Sequence, residues 1–178
     1  MKLPKIPGRT TPAFGFSYLE RSLKDCLRMR QFGIAEKDSV VKFFERLEPQ
    51  PTCAYCGGAE VSRWDHIVPV MKDGATVLGN MVLACSACDD SKSQRDFDEW
   101  MQSSVPKSPL SRGTANISRR IKHIRAYVKL YRYRSKPIED GLIGVELERL
   151  KTVRERLASL RQEVDSLVGD FRARTGFH

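Results

Sequence analysis

Apolar positions recur along this chain in several distinct rhythms, and each rhythm predicts an element. Ser17-Tyr-Leu-Glu20 reads as an N-cap with a reciprocating Glu three residues on, so a helix is expected to about Arg30, stopping near Gly33. A second amphipathic helix is expected from about Glu36 to Glu48, ended by Pro49 and Pro51. Before them, residues 1–16 are punctuated by Pro and Gly and predict an extended arm. In the centre, Arg63–Val70 and Asn80–Ala84 read as short strands joined by a loop that carries Asp73-Gly74 and Gly79. Phe97, Trp100 and Met101 then recur at helical spacing and predict a helix from about Ser91 to Met101.

The second half is helical by pattern. Residues 103–116 have linker composition, and Ile117, Ile121, Ile124, Val128 and Tyr131 follow with the 4-3-4-3 rhythm of one apolar stripe, which Pro137 stops. Leu150, Val153, Leu157, Leu160, Val164, Leu167 and Phe171 keep a 3-4 alternation over three heptads, the pattern of a dimer seam or of a helix packing back on the N-terminal helices. The expected division is an arm with helices over 1–51, a cysteine-bounded core over 52–102, a linker with a basic helix over 103–137, and a heptad helix over 138–178.

Composition narrows the setting. No apolar segment approaches the roughly 20 residues that cross a bilayer, so no membrane role is expected. Prolines in the first residues stand where a signal peptide needs its apolar run. Four of the five cysteines form two Cys-x-x-Cys pairs, which favours a metal site and a reducing cytoplasm over a disulfide framework. The fifth, Cys26, is expected to pack as a small hydrophobe on its helix.

Charge is concentrated. The net +9 comes from one segment: Met101–Ile138 holds ten of the 31 Lys and Arg and no Asp or Glu, while the other 21 basic residues face 22 acidic ones. A merely solvated helix face mixes its signs, so Arg119, Arg120, Lys122, Arg125, Lys129 and Arg132 are expected to contact a nucleic-acid backbone. Tyr127, Tyr131 and Tyr133 add hydrogen-bonding or stacking groups, although Tyr131 also fits the buried stripe.

The central motifs carry chemistry. Cys53-x-x-Cys56 and Cys85-x-x-Cys88 supply four thiolates for one tetrahedral zinc, and because all four positions are filled that zinc is structural. Near them lie Asp65, His66 and Asp89. An imidazole takes a proton from water near neutral pH. Carboxylates are hard ligands for Mg²⁺ or Mn²⁺. Phosphodiester hydrolysis needs both.

The run Cys-x-x-Cys, Asp65-His66-Ile-Val-Pro-Val, Asn80, Cys85-x-x-Cys88-Asp89-x-x-Lys92 resembles the HNH nucleases, the zinc-bearing branch of the ββα-metal fold, over Cys53 to Lys92. The resemblance implies that Asp65 is a ligand of a catalytic divalent ion, that His66 is the general base, and that Asn80 braces the loop and orients the His. Asp89 falls where that family usually has His or Asn and would be the second protein ligand, with Asp90 the alternate if the register slips; Lys92 would contact phosphate.

The expected fold is therefore α+β and mostly helical: a small ββα-metal core with a four-cysteine zinc site, flanked by N-terminal helices and a long C-terminal heptad-patterned helix. The expected function is a metal-dependent endonuclease acting on double-stranded DNA, with structural Zn²⁺ and catalytic Mg²⁺ or Mn²⁺, and a homodimer through the heptad helix. The alternatives are a zinc-stabilised DNA-binding module without nuclease activity, and an assembly protein built on the heptads.

Overall fold

Thr11 opens the first helix: its backbone carbonyl and its hydroxyl oxygen both accept from the Phe14 N–H, at 3.1 and 3.3 Å. Pro12 follows at the position where its missing N–H costs nothing. In the computed structural model, which describes residues 11–28, 31–46 and 50–176, this helix α1 runs Pro12–Cys26. It passes straight through Ser17, so the expected cap there is not used. Cys26 is exposed rather than packed. The arm over residues 1–10, the predicted end near Arg30 and the predicted stop at Pro49 lie outside the described residues.

Helix α2 (Ile34–Phe44) starts at Gly33, whose N–H donates to Glu36 Oε2 at 2.8 Å. It buries Val40, Phe43 and Phe44. Strands β1 (Arg63–His66) and β2 (Met81–Ala84) pair antiparallel, with Asp65 opposite Val82 and His66 opposite Met81. β1 is shorter than the pattern suggests, because Pro69 leads into a 3₁₀ turn at Val70–Lys72. The single helix expected over 91–101 is two: α3 (Ser86–Lys92), which begins right after Cys85, and α4 (Phe97–Met101). Ser93, at φ 50°, breaks the run between them.

Helix α5 (Ile117–Leu130) buries Ile121, Ile124 and Tyr127 and ends before Pro137, where Arg132 turns left-handed at φ 51°. Those side chains share one core with α2, the first cysteine turn, β2, Trp100 and Met101. The Tyr55 and Trp100 rings meet edge to face at 5.3 Å. Residues 103–116 are anchored to this core: Ser108 is fully buried, and the Pro106 carbonyl accepts from Ser91 Oγ at 2.7 Å.

The architecture is thus mostly helical and α+β, with a two-stranded sheet and a cluster of four cysteines. Contacts divide the chain into two compact units, residues 24–138 and residues 1–23 with 139–178. The second contains α6 (Gly144–Thr175), a helix of 32 residues in which only Leu150 is buried. Among the described residues, no helix is long and apolar enough to cross a membrane.

Candidate active site and metal centre

The first cysteine turn is closed by its own backbone. Gly57 N–H donates to the Cys53 carbonyl at 2.8 Å, Cys53 N–H to the Gly58 carbonyl at 2.9 Å, and Ala54 N–H ties the turn to Leu83 of β2 at 2.9 Å. The second pair is the start of α3, where Cys88 N–H and Asp89 N–H both donate to the Cys85 carbonyl at 3.1 Å. The result is four sulfurs within 4.8 Å of one another. Cys56 and Cys85 Sγ stand 3.8 Å apart, matching the edge of about 3.8 Å that a tetrahedron of sulfurs has when each bond to zinc is about 2.3 Å.

Electrostatics points the same way. Hydrogen bonding with Cys56 and burial push the Cys53 thiol up to about 12, and hydrogen bonds with Cys53 and Cys56 push Cys88 up further. Cys56 is held down as the shared acceptor of its neighbours. Four thiolates this close together need a compensating cation. The cluster is one that can hold a metal ion such as zinc. Two basic residues from the second half lie against it. Arg112 Nη2 donates to Cys88 Sγ at 2.7 Å. The Arg120 guanidinium lies over Gly57, where an added Cβ would sit 2.0 Å from Nη2.

Asp65 and His66 are neighbours on β1 with different environments. Asp65 is buried, and its Oδ2 accepts from Tyr55 Oη at 2.7 Å and pairs with Lys92 Nζ at 3.1 Å. Lys92 has no exposed surface; its ammonium also donates to the His66 carbonyl at 2.6 Å. The phosphate contact expected of Lys92 is therefore replaced by an internal one, since a sealed ammonium cannot reach a DNA backbone. Burial lowers Lys92 and raises Asp65, and each is opposed by the other's charge.

The His66 ring meets Thr76, with Nε2 2.9 Å from Oγ1. The Thr76 hydroxyl donates to Asp25 Oδ1 at 3.2 Å. A hydroxyl has one proton to give, so its oxygen accepts from Nε2–H, and Nδ1 becomes the basic nitrogen of the ring. Asn80, fully buried, holds the intervening loop from inside: Oδ1 accepts from Val68 N–H at 2.8 Å, and Nδ2 donates to the Val68 and Ala75 carbonyls at 3.1 and 2.8 Å.

Asp89 is partly exposed and shares one cation with Asp90: Arg63 Nη1 lies 2.7 Å from Asp89 Oδ2 and 2.5 Å from Asp90 Oδ1. Among the described residues, the four cysteines form the group found that could hold a metal ion.

Several residues that build this site carry no motif. From the end of α1 and just beyond, Lys24 Nζ donates to the Met71 carbonyl at 2.9 Å and Arg28 Nη2 to Asp73 Oδ1 at 2.6 Å. Gln31 N–H donates to the Thr76 carbonyl at 3.2 Å. From the far side, Tyr133 Oη accepts from Ala75 N–H at 3.0 Å, and Tyr127 Oη accepts from Gly79 N–H at 2.9 Å and donates to the Met81 carbonyl at 3.1 Å. Two of the tyrosines read as nucleic-acid groups therefore clamp the His66 loop. Of the six basic residues expected at a backbone, Arg119, Lys122, Arg125, Lys129 and Arg132 are exposed, Arg125 pairs with Asp98 at 2.5 Å, and Arg120 is half-buried at the cysteine turn.

Comparison with known families matches residues 53–95, about a quarter of the 178-residue chain, to the family model described as HNH endonuclease. No curated protein and no solved structure matches.

Proposed function

We propose that the chain is a metal-dependent DNA endonuclease, with its catalytic core in residues 52–102, zinc in the four-cysteine cluster, and the basic segment of 103–137 as its grip on duplex DNA. His66 is the general base, acting through Nδ1 on the water that attacks phosphorus in line. Asp65 and Asp89 are the residues that would hold Mg²⁺ or Mn²⁺. Their oxygens suit such an ion. The contacts of Asp65 with Tyr55 and Lys92 both fall on Oδ2, so Oδ1 is the oxygen it would offer. Asp89 would have to part from Arg63, an exposed side chain free to swing outward. When bound, the ion offsets the charge that grows on the phosphoryl group and the leaving 3′ oxygen.

One observation carries this reading. His66 sits in a relay from Asp25 through Thr76 that puts its proton on Nε2, inside a loop braced by the buried Asn80. Folding alone does not require a half-buried imidazole with an oriented basic nitrogen; proton abstraction does. The test is nicking of supercoiled plasmid with Mg²⁺, with Mn²⁺ and with EDTA, by wild type and by His66→Ala. Wild type is expected to nick only with metal, leaving 5′-phosphate ends. The variant is expected to retain DNA binding and lose cleavage by about 10²- to 10⁴-fold. Undiminished cleavage by the variant overturns the mechanism.

A second reading has its own support: both carboxylates already hold a cation, Lys92 on Asp65 and Arg63 on Asp89. A zinc-stabilised DNA-binding module would look the same there. Retention of plasmid without nicking in either metal would favour it.

A further inference from the structure

Helix α6 carries two apolar rows, and over its first half they are not treated alike, although Phe171 at the far end of the first row is 49 % exposed. Leu150 is buried, and Leu157, seven residues on, lines a cavity of about 440 Å³ with Phe16, Leu23 and Ala158, all within the same unit. The other row, Val153, Leu160 and Leu167, also spaced by seven, is 42, 49 and 69 % exposed. A helix of 32 residues with one buried side chain has little tertiary packing to hold it. An apolar row spanning two heptads on such a helix is a surface awaiting a partner.

The charges beside that row identify the partner. Arg149, Arg156, Glu163 and Asp170 each stand three or four residues from members of the row, on the same side of the helix, and all are exposed. The first two are positive and the last two negative. This face is therefore complementary to itself when reversed. With a two-fold axis through Leu160, Leu160 meets Leu160 of a second copy, Val153 meets Leu167, Arg156 meets Glu163 and Arg149 meets Asp170. Parallel, in-register pairing would carry these four charges to opposite flanks of the seam, where Arg156 and Glu163 do not meet. A contact in which each patch meets itself is the isologous interface of a two-fold dimer. We infer that the exposed row of α6 is the seam of an antiparallel homodimer of this chain, independently of whether the core cleaves DNA.

Sedimentation equilibrium on the full zinc-loaded chain at about 0.15 M salt, where the pairs are only partly screened, tests this. Wild type is expected to have the mass of two chains and Leu160→Asp that of one. Since Leu160 is half exposed in the single chain, the substitution leaves the fold of each copy alone. Arg156→Glu sets Glu against Glu twice and is expected to weaken the dimer about ten-fold, and adding Glu163→Arg to restore it. A monomeric wild type overturns the inference; so does an Arg156→Glu variant that associates as well as wild type, which is the parallel result. None of these readouts uses cleavage, so an inactive dimer sustains the inference and an active monomer ends it.

Discussion

Lys92 and Asp65 are charged because of each other. Burial pushes each toward its neutral form and the other's charge opposes it, as the opposite directions of their shifts record. Removing one partner leaves the other as an uncompensated charge in the core, which costs about 3–5 kcal/mol. Lys92→Met is therefore expected to lower the unfolding free energy by that amount in denaturant titration, and Lys92→Met with Asp65→Asn to recover most of it. Equal destabilisation by the double variant would mean that the pair is not coupled. The relay on His66 yields a different signature. Thr76→Val keeps the volume but removes the hydroxyl that fixes the ring, so nicking is expected to fall about 10- to 100-fold while the thermal midpoint moves by a few degrees at most. A collapse of stability instead would make Thr76 a folding residue. The sequence exposes the motif residues of this group and hides their supports. His66, Asn80 and the cysteines announce themselves by spacing. By contrast, a Lys that turns inward has the same letter as one that grips phosphate, and Asp25 stands 51 positions from Thr76 with no motif to join them.

At the scale of elements, α5 shows what a helical stripe does and does not say. The apolar rhythm correctly marks Ile121 and Ile124 as buried. The letters do not sort its charges, because a residue's angular place on the helix decides its role. Arg119, Lys122 and Lys129 project from the side opposite Ile121, Ile124 and Tyr127, whereas Arg120 falls on the inner side and meets Gly57. Single substitutions of Arg119, Lys122 or Lys129 by Ala are each expected to weaken duplex binding and to reduce the slope of log K against log salt by about one. Arg125→Ala should change it less, because that guanidinium must first leave Asp98, whose carboxyl it holds below the usual range. Arg120→Ala should leave the slope unchanged. Fluorescence titrations at four salt concentrations distinguish these outcomes, and an unchanged slope in all of the variants would remove α5 from the DNA contact. Tyr127 and Tyr133 were illegible for a related reason: a tyrosine on a basic helix offers the same hydroxyl to a nucleic acid or to its own protein, and only the fold shows that Gly79 and Ala75 take it.

For the whole molecule, the two units are held by different forces. The core of 24–138 is fastened at the cysteine cluster, where the two turns, β2 and Arg112 of the 103–116 segment meet. A metal ion bound there contributes its affinity directly to folding, of order 10 kcal/mol for such sites. Helix α6 has no share in that cluster. Both tryptophans, Trp64 and Trp100, lie in the core unit, so their fluorescence reports on it alone, while much of the far-ultraviolet helical signal belongs to the 32 residues of α6. Stripping the ion with a strong chelator under reducing conditions is expected to shift tryptophan emission to the red as Trp100 leaves its buried place, and to leave a substantial helical signal that depends on protein concentration through the α6 seam. Arg112→Ala should speed release of the ion to a chromogenic chelator several-fold, because it removes the charge that steadies Cys88. The order of events is what matters: if helix content vanishes in step with the tryptophan change at every protein concentration, then α6 depends on the core for its structure, and the picture of a metal-fastened domain joined to a self-pairing helix is wrong.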